Sequence, residues 1–140
     1  MKLKKIDLQN ESEVKFVYDV RCHPDVDKWL FGSRPVNFES HKKHLESNER
    51  VFIIYDDIPI GYCSYKESGE EIEVGWKIHP DYQNKGYGVK SVPMLISKIR
   101  SKKNIVLYVV KNNNRALAVY QKAGFRLVNA DEQSYKMEKI

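Results

Sequence analysis

The spacing of apolar residues along this chain changes period several times, and each change marks an element. From Leu3 to Leu8 the residues Leu3, Ile6 and Leu8 alternate loosely with polar ones, which predicts a weak opening strand. From Glu11 to Val20, Val14, Val17 and Tyr18 recur at steps of three and one, the spacing of one helix face. Arg21 to Val36 contains His23-Pro24, Gly32 and Pro35 and must bend repeatedly. Asn37 is a candidate N-cap for a second helix reaching about Ser47. Val51 to Tyr55 is apolar and β-branched, Asp56-Asp57-Ile58-Pro59 reads as a turn, and Ile60 to Lys66 as the second arm of a hairpin. A second turn at Glu67-Ser68-Gly69-Glu70 leads to a strand from Glu71 to His79, so three strands form an antiparallel meander.

The second half alternates helix and strand. Val89, Val92, Leu95, Ile96 and Ile99 predict a helix from Gly86 to about Ser101, with Pro93 inside it as a kink. Ile105 to Val110 is a continuous apolar run, the mark of a buried central strand. Asn114 to Ala123 is helical and stops at Gly124. Phe125 to Val128 and Ser134 to Lys139 close the chain as strands. The class is α+β: a mixed sheet with about four helices. With 140 residues and no linker or repeat, residues 1–140 form a single domain.

Composition removes several alternatives. Hydrophobic residues make up 41% and charged residues 31%, which excludes a disordered or collagen-like chain. No apolar run approaches the roughly 18 residues of a membrane span, and no apolar stretch follows the N-terminal lysines, so neither membrane partner nor signal peptide is expected. The net charge of +5 has its densest run at Lys98, Arg100, Lys102 and Lys103, too short for a nucleic-acid tail, and no basic-aromatic RNA motif accompanies it. Cys22 and Cys63 lie outside any CxxC or zinc spacing and read as reduced thiols of a cytoplasmic protein. His41 and His44 lack a third ligand, so no metal is expected.

Chemistry concentrates at Gln83-Asn84-Lys85-Gly86-Tyr87-Gly88, between a strand and a helix. A helix N-terminus exposes unpaired N–H groups with partial positive charge, and glycine lets a phosphate approach the backbone. The stretch is therefore a candidate pyrophosphate cradle or, alternatively, a turn using glycine for positive φ. It is neither a Walker loop nor the dinucleotide fingerprint.

This stretch resembles the acetyl-CoA signature of the GNAT superfamily of N-acetyltransferases, Gln/Arg-x-x-Gly-x-Gly/Ala, filled by Gln83, Gly86 and Gly88. The strand Glu73 to His79, running on into Pro80-Asp81-Tyr82, is similar to the family's central strand. Asn113 to Phe125 resembles the second signature, Asn-x-x-Ala-x-x-x-Tyr-x-Lys-x-Gly-Phe. The resemblance spans the chain and implies a mostly antiparallel sheet of about seven strands that binds acetyl-CoA. It implies that Gln83 and Asn84 bind the cofactor with Lys85, Gly86, Tyr87, Gly88 and Val89, the backbone from Lys85 to Val89 holding the CoA pyrophosphate. The strand edge at Trp76, Lys77 and Ile78 would pair with the pantetheine arm and polarise the thioester carbonyl. Asn113, Ala116, Tyr120 and Lys122 would line the cofactor. Tyr120 would protonate the leaving thiolate, a role that suits a phenol with a pKa near 10. Glu73 would be the general base toward the amine, with Glu71 on the same strand face as a substitute.

The N-terminal half selects the acceptor in this superfamily. Arg21, Val26 and Trp29 fill an Arg-x-x-x-x-Val-x-x-Trp pattern that resembles the branch containing N-acetyltransferases of nucleotide-linked amino-deoxy sugars, of the pseudaminic acid pathway type, and protein N-terminal acetyltransferases, and this implies Arg21, His23, Trp29 and Phe31 as acceptor-binding residues. Trp29 and Phe31 are suited to stacking on a base or sugar, or to capping the core beneath the first helix. Arg21 and His23 would meet a diphosphate. Ser64, on the strand beside Glu73, would reach the acceptor or simply face solvent. His41 and His44 read as surface or acceptor-pocket residues. The expected reaction is direct acetyl transfer in a ternary complex to a small-molecule amine, best a UDP-sugar. The alternatives are a protein N-terminus, a polyamine or an antibiotic amine, or a non-catalytic acyl-CoA-binding module. A monomer or homodimer is expected, since such a sheet leaves edges free.

Overall fold

The fold is seen in a computed structural model, which describes residues 1–30, 35, 37–47 and 49–140. The strands are β1 Lys2–Lys5, β2 Arg50–Asp56, β3 Ile58–Ser68, β4 Glu71–Ile78, β5 Asn104–Val110, β6 Phe125–Ala130 and β7 Ser134–Lys139. The helices are α1 Glu11–Cys22, α2 Pro24–Asp27, α3 Phe38–Leu45, α4 Tyr87–Ile96 and α5 Asn114–Lys122, with one 3₁₀ turn at Pro80–Tyr82. The strands form one sheet in the order β1-β2-β3-β4-β5-β7-β6. Every neighbouring pair is antiparallel except β4 and β5.

Strand alternation divides the core into two layers. Phe52, Ile54, Cys63, Ile72, Val74 and Trp76 face one side, where Val92 and Leu95 of α4 and Tyr120 of α5 pack against them. Val51, Ile53 and Tyr62 face the other, under Val14, Val17 and Val20 of α1, Val26 of α2 and Leu45 of α3. The helices start where side chains accept first-turn amides. Asn10 accepts from Ser12 and Glu13, Asn37 from Ser40, and Asn113 from Ala116.

Four local differences from the sequence reading have physical causes. The expected turn at Asp56 to Pro59 shrinks to Asp57, at φ 66°, between the paired residues Asp56 and Ile58. Pro59 lies inside β3 at a register shift, where the ladder tolerates its missing N–H. The bend after Arg21 contains a helical turn, α2, started by Pro24 and capped by His23. Helix α4 passes through Pro93, which is exposed, and ends at Ile96, short of Ser101. Finally, β5 is not wholly buried: Tyr108 is 41% exposed, because β5 has no β4 partner beyond Val106.

Gly61 of β3 lies against the backbone of β4 with no room for a side chain. A Cβ there would sit 2.5 Å from the Lys77 carbonyl oxygen and 2.9 Å from Ile78 Cα, both backbone atoms of β4. Gly61→Ala is expected to force the strands apart and destabilise the fold by about 1–3 kcal/mol. A lower melting temperature in thermal denaturation is the expected readout, and an unchanged one would show that β4 yields freely.

Candidate active site

Strands β4 and β5 pair only at Glu71 with Asn104, Ile72 with Ile105 and Glu73 with Val106. Both run on, β4 to Ile78 and β5 to Val110, without pairing further. Their diverging edges open a cleft of about 1000 Å³ reaching both faces of the sheet. Gly86, Gly88, Asn113 and Tyr120 line it on the α4–α5 side; Arg21, Trp29, His41 and Tyr62 line it on the α1–α3 side.

The loop entering α4 is shaped by its own hydrogen bonds. His79 Nδ1 accepts from the Asp81 amide at 3.1 Å, and Gln83 Nε2 donates to the Ile78 carbonyl at 3.0 Å, tying the loop to the end of β4. Asn84 (φ 64°) and Gly86 (φ 85°) take the left-handed conformation. Gly86 is the N-cap and offers no side chain to the first-turn amides, which leaves them available to an anion. A Cβ on Gly88 would come within 3.1 Å of Val119 Cγ1, so glycine lets α4 approach α5. The Tyr87 hydroxyl donates to Asp56 at 2.7 Å and anchors this first turn to β2. Gln83, Asn84, Tyr87 and Val89 line the cleft, as do Trp76, Lys77, Ile78 and Ala116. Lys85 does not; its Nζ lies 5.8 Å from the Tyr82 ring centre. Lys122 does not either: it sits with Pro93 and Ile96 on a separate depression.

Tyr120 projects from α5 toward β4, its ring 5.8 Å from that of Trp76 and 6.0 Å from that of Phe125. Burial pushes its pKa up to about 12; the Arg115 charge and the Trp76 backbone N–H near its hydroxyl only partly offset this. The phenol therefore holds its proton at neutral pH. Glu73 lines the cleft, with Lys66 Nζ 3.4 Å from its carboxylate. Glu71 is engaged elsewhere, accepting from Lys136 at 2.8 and 3.0 Å, and does not line the cleft. The Trp76 indole Nε1 is buried without a hydrogen-bond partner among the described residues.

The α1–α3 side mixes charges. Arg21 reaches Asp27 at 2.6 Å and lines the cleft together with Trp29, Glu49 and Lys77. Lys77 Nζ lies 5.4 Å from the Tyr62 ring centre and 3.1 Å from where a Cβ on Gly75 would be. Burial lowers its pKa; Glu49 raises it and Arg21 lowers it further. His41 is 3% exposed, and burial, with the neighbouring His44 and Arg21 charges, lowers its pKa to about 4. Three expected acceptor residues stand differently. His23 lies outside the cleft, its Nδ1 accepting from the Asp25 amide as the cap of α2. Ser64 is buried in β3 opposite Gly75 and does not reach the cleft. Phe31 lies outside the described residues.

Comparison with known proteins decides the family. The model of the acetyltransferase (GNAT) family matches residues 14–125. The chain belongs to this family. It is 27% identical to acetyltransferase PseH of Campylobacter jejuni subsp. jejuni serotype O:2 over 146 aligned positions, covering 96% of this chain and 90% of the relative. The same-named protein of serotype O:23/36 is 25% identical, with the same coverage. The fold matches spermidine N-acetyltransferase from Vibrio cholerae in complex with CoA and spermine (TM-score 0.79, 19% identity, 98% of this chain and 92% of that one). It also matches AAC(6')-Ib in complex with paromomycin and acetyl-CoA (TM-score 0.78, 17% identity, 99% and 93%).

This GNAT acetyltransferase uses acetyl-CoA as acetyl donor. The cleft fits that donor: first-turn amides of α4 stand uncapped for a pyrophosphate, and the β4 edge past Glu73 is open to an extended arm. Sequence reasoning placed Lys77 in the site through its backbone alone and left His41 between surface and pocket. Both were legible by period: Lys77 shares a strand face with Glu73 and Gly75, and His41 shares the buried stripe of α3 with Leu45.

The His41 shift has a consequence for stability. Its folded pKa lies near 4 against an ordinary value of 6.5, so the unfolded chain binds the extra proton first as pH falls. Protonation of this group does not draw on stability above pH 6.5, and it draws increasingly on it as pH falls from 6.5 to 4. His44, Arg21 and Glu49 act on it electrostatically. A melting-temperature series is expected to fall less steeply over this window in His41→Gln than in the wild type; parallel curves would show that His41 does not titrate there.

Proposed function

We propose that this protein transfers the acetyl group of acetyl-CoA to the amine of a nucleotide-linked amino-deoxy sugar, by direct transfer in a ternary complex. One observation supports the reaction most: Tyr120, protonated and facing the Trp76 amide on one side of β4, stands across that strand from Glu73 on the other. In this reading Glu73 takes the proton of the amine, directly or through water. Tyr120 supplies a proton to the departing thiolate. The Trp76 backbone N–H stands at the opened edge where a thioester carbonyl would need a donor.

The aromatic lining supports the sugar among the acceptors considered. Charge alone does not select, since Asp25, Glu49 and Glu73 line the cleft beside Arg21 and Lys77. A sugar nucleotide brings one amine, a base for which Trp29 offers a stacking face, and a diphosphate for which Arg21 and Lys77 offer cations. The relatives named PseH at 27% and 25% identity agree with the branch that the Arg21 to Trp29 segment resembles. The 140 residues would work as one domain, as a monomer or as a dimer through β6, the sheet edge where Leu127 and Val128 are exposed. The unbridged Cys22 and Cys63, the latter with its thiol pushed up to about 12 by burial, suit a reducing cytoplasm.

The test is thiol release from acetyl-CoA against UDP-amino sugars, N-terminal peptides, polyamines and aminoglycosides. Turnover is expected with a UDP-amino sugar. Tyr120→Phe and Glu73→Gln should each lower kcat about 100-fold or more, with the acetyl-CoA dissociation constant little changed. Full turnover in Tyr120→Phe with chemistry rate-limiting would remove the acid assignment. Acetyl-CoA binding without release to any acceptor would favour a binding module.

A further inference from the structure

His41 is out of place by every structural criterion. It occupies the stripe of α3 that faces the core, one turn before Leu45, where an apolar side chain would pack without penalty. It is 3% exposed, yet its Nε2 has no hydrogen-bond partner among the described residues. Its ring rests 5.3 Å from that of Tyr18, so one face is fixed, and the side chain lines the acceptor side of the cleft. A buried polar atom without a partner costs stability, and native proteins keep such atoms rarely. Where one lines a cleft, its partner is sought in the ligand.

The neighbouring groups define what that ligand offers. Tyr62 lines the same cleft, is 5% exposed, and belongs with Leu45 to one apolar cluster. Burial holds its phenol protonated and holds the His41 imidazole unprotonated. This part of the cleft thus presents two neutral groups able both to donate and to accept. A second ammonium or a phosphate oxygen is better matched by ionised partners, whereas a hydroxyl group matches neutral ones.

We propose that His41, seconded by Tyr62, is a specificity-determining subsite that hydrogen-bonds a ring hydroxyl of the acceptor. This rests on the amino-sugar reading of the substrate. His41 does no chemistry in it: it places the sugar ring so that the amine faces Glu73, and it rejects amines without the hydroxyl.

The experiment measures steady-state kinetics and melting temperature for the full chain and for His41→Leu, His41→Gln and Tyr62→Phe. The probes are a UDP-linked amino-deoxyhexose and spermidine, which has no hydroxyl. His41→Leu is expected to raise KM for the sugar about 10- to 100-fold while leaving KM for acetyl-CoA unchanged. It should also raise the melting temperature at pH 7.5 by a few degrees, because it removes an unpaired buried polar atom. His41→Gln, whose amide returns a neutral hydrogen-bonding group, should recover most of the sugar KM. Tyr62→Phe should raise it less, and whatever turnover spermidine gives should respond to none of the three. A sugar KM within twofold of wild type in His41→Leu would overturn the proposal. So would a His41→Leu protein that is less stable and equally impaired toward both acceptors, the signature of a structural histidine. If the wild type ignores the sugar but acetylates an aminoglycoside, the sugar reading fails while the subsite remains testable. The same variants assayed with that hydroxyl-bearing amine then decide it by the same KM criterion.

Discussion

Two parallel strands that stop pairing halfway along are the constraint on which the site depends. Backbone N–H and C=O groups inside a protein are almost always matched, yet β4 and β5 share only three residue pairs before parting. Past Glu73 the inner edge of β4 borders a cleft instead of a neighbour. An extended ligand arm can satisfy that edge as an added strand would. The same divergence exposes Tyr108 on β5 and gives Tyr120, held by Trp76 and Phe125, access to the Trp76 amide.

Strand alternation then assigns the two reacting partners to opposite faces. Trp76 and Val74 face α4 and α5, where the first turn of α4 stands without a side-chain cap and suits an anion. Glu73, Gly75 and Lys77 face α1 and α3, where an amine would arrive. One strand thus carries Trp76 on one side and Glu73, the proposed base, on the other, across the thickness of a single backbone. The two buried polar side-chain atoms left unpartnered among the described residues, Trp76 Nε1 and His41 Nε2, both belong to residues lining this cleft, one on each face. Stability given up at a binding site in this way is the expected trade between folding and function.

Much of this was legible in the residues because it is local. The helix cap at Asn37, the strand meander and the glycine turn into α4 are written in short windows of sequence, whereas the capping of α5 by Asn113 was not read from them. The second signature contained its own correction. Asn113, Ala116 and Tyr120 recur at steps of three and four and share one helix face, whereas Lys122 lies two residues beyond Tyr120 and turns away. His23 precedes a proline that starts a helix, so its nitrogen serves as a cap. The divergence of β4 and β5 was not legible: it depends on which strands meet across the chain, and no window of residues records it. The burial of His41 and the half-burial of Lys77 follow from the same non-local packing, although their faces were readable from period.

The open edge of β4 and the first turn of α4 are the proposed seat of the acetyl donor. Amide hydrogen exchange with and without CoA tests it most directly, because the relevant groups are backbone N–H groups. Protection on CoA binding is predicted in two stretches, Val74 to Ile78 and Gly86 to Val89, with β1 and β6 unaffected. Protection confined to other segments, or none at saturating CoA, would contradict the account.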